Sequence, residues 1–139
     1  MTREQKVGCF QKIMGQVVGA DLKEMERVDA IDLLNLHMNM IVEEVTELCE
    51  EVEELFVHIA TTDDPREWNL ADLLKELADV QYTISGLAAA ISLPLEEAFT
   101  RVHASNLTKL DADGFAVRNT AGKVIKGLSY QPPSLGDLV

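Results

Sequence analysis

Cysteine is nearly absent from this sequence. Cys9 and Cys49 are the only two in 139 residues, and neither has metal-ligand spacing or a thiol partner in a short motif, which excludes a disulfide scaffold and a zinc knuckle. Both are expected to be reduced, partly buried small hydrophobes. Basic residues are also few, 12 against 24 acidic, for a net charge of −12. That excludes a protein that grips a nucleic acid polymer through a basic face. There is no long hydrophobic run. The most apolar stretch, Leu87 to Leu95, is too short to span a bilayer and contains Pro94. The opening MTREQKVGCF lacks the apolar core of a signal peptide. A cytoplasmic protein with no membrane partner is expected.

Helix breakers are missing where it matters most. No Gly or Pro occurs from Ala30 to Ala60. The apolar positions there are Leu34, Met38, Ile41, Val45, Leu48, Val52, Leu55 and Ile59, in alternating steps of four and three. This heptad seam predicts one helix about 45 Å long. Asp64 and Pro65 have the form of an N-cap and a first helical residue. They predict a second helix reaching about Ser92, with a seam of Leu73, Leu77, Val80, Ile84, Leu87 and Ile91. Pro94, Glu96 and Glu97 open a third long helix ending near Leu110. A short amphipathic helix over Thr2 to Met14 precedes them, stopped by Gly15 and Gly19. Phe115–Val117 and Val124–Ile125 are expected to pair as a small hairpin.

The expected fold is all-α: an antiparallel bundle of long helices with a short irregular C-terminal segment, one domain over 1–139 whose tail starts at about 111. The long apolar seams predict a homodimer or a dimer of dimers. Charge is uneven along the chain. Residues 1–100 carry 7 basic and 21 acidic side chains, and residues 101–139 carry 5 and 3.

Two segments repeat one pattern. Residues 41–48 read IVEEVTEL and residues 73–80 read LLKELADV. With Ile41 at zero on a helical wheel, Glu44 falls at about −60° and Glu47 at about −120°. With Leu73 at zero, Glu76 and Asp79 fall at the same two angles. Leu33 and Met40 share the flank of Glu44, so that flank is not simply the wet side. Lys75 points elsewhere on the wheel. Antiparallel packing along the seams would let the two acidic pairs converge. Four converging carboxylates repel, and a divalent cation relieves them. Oxygen ligands without His or Cys suit Mg²⁺, or Mn²⁺ in its place. No Glu-x-x-His occurs, so a di-iron site is discounted. The competing interpretation is a solvated acidic stripe, because Glu50, Glu51, Glu53 and Glu54 crowd the same helix. It would make the chain a non-enzymatic acidic helical module for a basic partner. The segment Asp111-Ala112-Asp113-Gly114 does not match an EF-hand loop.

The EEVTE and ELAD segments resemble the EExxE…ExxD signature of the all-α nucleoside-triphosphate pyrophosphatases, the MazG-like and phosphoribosyl-ATP pyrophosphohydrolase-like group. A second block, VHASNLTK at 102–109 with GKVIKG at 122–127 and YQPP at 130–133, resembles the tail of the phosphoribosyl-ATP pyrophosphohydrolase-like branch. The resemblance covers roughly residues 5–135. It implies a Mg²⁺-dependent hydrolase that splits a nucleoside triphosphate into monophosphate and pyrophosphate. Glu44, Glu47, Glu76 and Asp79 would be metal ligands, and Glu43 and Glu44 would serve catalysis, Glu43 by joining a further metal or helping to activate water. Asn106 and Lys109 would contact the nucleotide, with Lys123, Lys126 and Tyr130 as further candidates. Family members often carry Arg six residues before the first Glu of the motif. Here His37 stands at that position, either as a substrate contact or as a helix residue beside the core. The resemblance leaves a house-cleaning (d)NTP pyrophosphohydrolase and a phosphoribosyl-ATP pyrophosphohydrolase of histidine biosynthesis both open.

Overall fold

The computed structural model describes residues 1–139 and contains four α-helices and no β-strand. The all-α expectation holds. The chain divides into two compact units, Met1–Ser92 and Leu93–Val139.

In the first unit, α1 (Arg3–Ile13) starts at a capping box. Gln5 N donates to Thr2 Oγ1 at 3.2 Å and Thr2 N donates to Gln5 Oε1 at 2.8 Å. Gly15, at φ 71°, ends it in a conformation that a side chain would resist. The chain then returns along the end of α3. Gly19 N and Ala20 N donate to the carbonyls of Ala89 and Ala90 at 2.9 and 2.8 Å. Helix α2 (Arg27–Thr61) is unbroken over 35 residues, or about 50 Å. Helix α3 (Leu70–Ala90) packs against both α1 and α2.

The start of α3 corrects one expectation. Asp64 does cap, but only the single 3₁₀ turn Pro65–Glu67, where it receives Arg66 N at 3.0 Å and pairs with the Arg66 guanidinium. Trp68 then runs extended, half-buried, with its ring N–H buried and without a hydrogen-bond partner. The cap of α3 is Asn69, whose Oδ1 accepts from Ala71 N at 3.1 Å and Asp72 N at 3.4 Å. An Asx side chain satisfies these otherwise orphaned amides as well as Asp64 could.

Three helices meet closely at Gly86. A methyl added there would lie 3.2 Å from Gln11 Nε2 and 3.9 Å from His37 Cε1, and Gln11 Nε2 already donates to Gly86 O at 3.0 Å. The buried residues of α3 are small: Thr83, Ser85, Gly86, Ala88 and Ala90. Those of α2 are Leu33 and His37.

The seams behave differently from expectation. None of their residues is buried. Leu34, Met38, Val45 and Ile59 of α2 and Leu77 and Ile84 of α3 are exposed. The other seam residues, among them Ile41, Leu48, Leu55, Leu73, Val80 and Leu87, are half-buried, so α2 and α3 pack along the acid-bearing flanks and cover only part of each seam. The seam lies to the same rotational side of the contact flank in both helices. In an antiparallel pair that places the two seams side by side on one face. A heptad pattern records that a stripe is apolar and does not say which surface covers it. The cysteines are corrected too: Cys9 and Cys49 are free, as expected, but exposed.

In the second unit, α4 (Leu95–Leu107) follows Pro94. The expected hairpin is reduced to two isolated antiparallel bridges, Leu110–Ala116 and Arg118–Val124. Asp111 Oδ1 accepts from Asp113 N and Phe115 N at 3.0 and 2.8 Å, which shapes the first turn. The tail is tied to α4. Ser105 Oγ donates to Gln131 O at 2.7 Å, Gln131 N donates to Thr108 Oγ1 at 2.8 Å, and Arg101 Nη1 pairs with Asp137 at 2.6 Å. No helix is long and apolar enough to cross a membrane.

Candidate metal centre

The register of α2 against α3 assembles the first unit's acidic centre. His37 approaches Gly86, Glu44 senses the charge of Asp79, and Glu51 senses the charge of Asp72. Each step of one heptad up α2 is matched by one heptad down α3, so the helices are antiparallel and in phase. Glu47 and Glu76 fall between these rungs. One carboxylate oxygen each from Glu44, Glu47 and Glu76 lies within 4.8 Å of the other two. Three of the four acids singled out by the repeat are therefore brought together from two helices.

Asp79 is drawn aside by Lys75, which stands four residues before it and only about 40° away on the wheel. Lys75 Nζ lies 2.9 Å from Glu76 Oε1 and 2.8 Å from Asp79 Oδ2. This corrects the expectation that Lys75 points elsewhere: residues four apart share a helix face, and the flexible lysine stem reaches Glu76 as well. The hydrogen bonds to Asp79 and Glu76 raise the Lys75 pKa, so this cation is firmly protonated.

The electrostatics are strained. Burial pushes the Glu44 carboxyl above its usual range, and Asp79, Glu47 and Glu43 push it further, against a smaller opposing pull from Lys75. Two turns on, the Glu51 carboxyl is also raised, by desolvation and then by Asp72, Glu54 and Glu76. Of this Glu-rich run only Glu51 is half-buried and feels the acids of α3; Glu50, Glu53 and Glu54 are exposed, as in a solvated stripe. Glu76 is 12% exposed in its side chain, and its Oε2 is buried with no hydrogen-bond partner. A buried carboxylate oxygen left unpaired is costly unless something positive meets it. An all-oxygen, multiply charged donor set with one such oxygen fits a hard divalent cation.

The remaining candidates are placed as follows. Glu43 is exposed on α2, beside Glu44. His37 is buried, its Nδ1 unpaired, in the three-helix contact at Gly86. Burial lowers its pKa. Its surroundings are therefore packing, not an open substrate surface. Asn106, Lys109, Lys123, Lys126 and Tyr130 all belong to the second unit. There, Asn106 is exposed near the end of α4, Lys109 is half-buried, Lys123 is exposed, and Lys126 Nζ sits 4.5 Å from the centroid of the Tyr130 ring.

A family model described as phosphoribosyl-ATP pyrophosphohydrolase matches residues 9–106. The chain belongs to this family. The phosphoribosyl-ATP pyrophosphohydrolase family lies within the MazG-like all-α NTP pyrophosphatase superfamily, and membership makes the chain a pyrophosphohydrolase acting on a nucleotide. The matched stretch contains His37, all four acids of the repeat and Asn106. It ends before Lys109, Lys123, Lys126 and Tyr130. No curated protein matches the chain.

Proposed function

We propose that this pyrophosphohydrolase is a Mg²⁺-dependent house-cleaning enzyme that splits (d)NTP into (d)NMP and pyrophosphate. The observation that carries the reading is the convergence of Glu44, Glu47 and Glu76, together with a Glu76 oxygen, Oε2, that is buried and unpaired. Glu44, Glu47, Glu76 and Asp79 would hold the ion. When bound, it supplies the positive charge that lets a triphosphate approach an acidic wall, and it polarises phosphate and water. The chain's own residues do the rest. Glu43, exposed beside the cluster, is the candidate to accept the proton of the attacking water. Lys109 would meet charge moving onto the departing pyrophosphate. Asn106 would orient the nucleotide, with Lys123, Lys126 and Tyr130 as weaker contacts. Mn²⁺ is the expected substitute. We place the enzyme in the cytoplasm, as a homodimer or dimer of dimers built on the exposed α2–α3 face.

The name of the matched family favours a second reading, phosphoribosyl-ATP as substrate. The same bond class is cleaved and the same acids serve. One panel separates the two: each ribo- and deoxyribonucleoside triphosphate, and phosphoribosyl-ATP, with Mg²⁺, assayed for monophosphate and pyrophosphate. Turnover of one or more triphosphates is expected. Turnover of phosphoribosyl-ATP alone would replace the first reading with the second, and turnover of nothing would overturn both. The Glu47→Gln variant is expected to lose about 100-fold or more in activity, because a missing ligand charge weakens the metal site severely. Full activity in this variant would move the site elsewhere.

A further inference from the structure

The position of Lys75 has a consequence for how the centre loads. Its ammonium bridges Glu76 Oε1 and Asp79 Oδ2, at 2.9 and 2.8 Å. These are two of the four carboxylates assigned above to the divalent ion, and the inference rests on that assignment. The side chain is 60% exposed, so packing does not force it inward; it reaches the pair from adjacent and i,i+4 positions of one helix. Two positive charges a few ångströms apart repel, and an oxygen committed to an ammonium is a poorer ligand. We propose that Lys75 is a tethered counter-ion that competes with the divalent cation for Glu76 and Asp79 and so sets the cation concentration at which the centre fills. Lys75 is thus a positioning residue. It holds Glu76 and Asp79 in place and partly neutralised, while Glu44, Glu47 and the unpaired Glu76 Oε2 remain available to the incoming ion.

The test is thermal unfolding titrated with MgCl₂, without nucleotide, so the readout does not depend on turnover. Relative to wild type, Lys75→Met is expected to lower the half-saturating Mg²⁺ concentration about three- to tenfold, the range of one or two exposed ion pairs. Lys75→Arg is expected to match or exceed the wild-type value, since a guanidinium pairs with carboxylates at least as well. A double variant, Lys75→Met with Leu74→Lys, restores the charge on another face of α3, where Leu74 is exposed; it should keep the lowered value. An unchanged or raised half-saturation in Lys75→Met would overturn the proposal. So would a double variant that returns to wild type, because charge alone would then explain the effect. Absence of any Mg²⁺ response in wild type, or a response that survives Glu47→Gln, would instead remove the metal assignment itself, and the proposal with it.

Discussion

His37 is 3% exposed at the point where α1, α2 and α3 touch, and burial holds its pKa below 6.5. Neutral His37 is thus the form that suits the folded chain. Above the unfolded value both states are neutral and its contribution to stability is fully present. As pH falls through 6.5, the unfolded chain gains a proton that the folded one resists, and stability is lost until the lowered folded pKa is passed. Glu44 works in the opposite sense. Its raised carboxyl contributes stability below its unfolded value that is lost as pH rises through the folded one. The comparison with a variant isolates the histidine. Between pH 7 and pH 5.5, wild type should lose more melting temperature than His37→Gln, measured by circular dichroism. Equal losses would mean that the imidazole is freely protonated. At this scale the sequence was informative about Glu44, Glu47 and Glu76, because a wheel fixes where a Cβ points. Lys75 is misjudged, because its i,i+4 spacing to Asp79 already puts the two on one side of α3.

Among the elements, the two capping residues before α3 make a sharp contrast. Asn69 closes the amides of Ala71 and Asp72 at the head of a 21-residue helix. Asp64 closes one 3₁₀ turn. Asn69→Ala should cost about 1 kcal/mol in chemical denaturation, and Asp64→Ala clearly less. A larger loss at Asp64 would show that the 3₁₀ turn, not α3, limits stability here. Both residues have good cap chemistry in the sequence, which is why the earlier of the two looked like the start. The extended Trp68 between them decided otherwise. The long uninterrupted α2 was fully legible, since nothing between Ala30 and Ala60 could break it. The dipeptides Asp113-Gly114 and Ala121-Gly122 signal the two C-terminal turns, and both glycines have positive φ. The short segments between them were not long enough to form more than isolated bridges.

Across the whole molecule, the apolar stripes of α2 and α3 matter most. Leu34, Met38, Val45, Ile59, Leu77 and Ile84 are exposed, and a contiguous apolar face of this kind marks an association surface. The purified chain is expected to sediment as a dimer or dimer of dimers. Val45→Glu combined with Leu77→Glu should shift it to monomer while far-ultraviolet ellipticity persists. A wild type that is monomeric at micromolar concentration would refute this. The heptads were plain in the sequence. What they could not reveal was whether α2 and α3 spend them on each other or keep them for another copy, since both uses demand the same spacing. The acidic flanks take the intramolecular contact and leave the seams only half covered.

Trp68 is the sole tryptophan of the chain, half-buried in the link between α2 and α3 with its indole N–H unpaired. The molecule therefore carries its own optical probe at one known place. Excited at the red edge of protein absorbance, its emission follows that link and little else. A shift to longer wavelength ahead of the loss of helical signal on heating would mean that the hairpin opens from its bend.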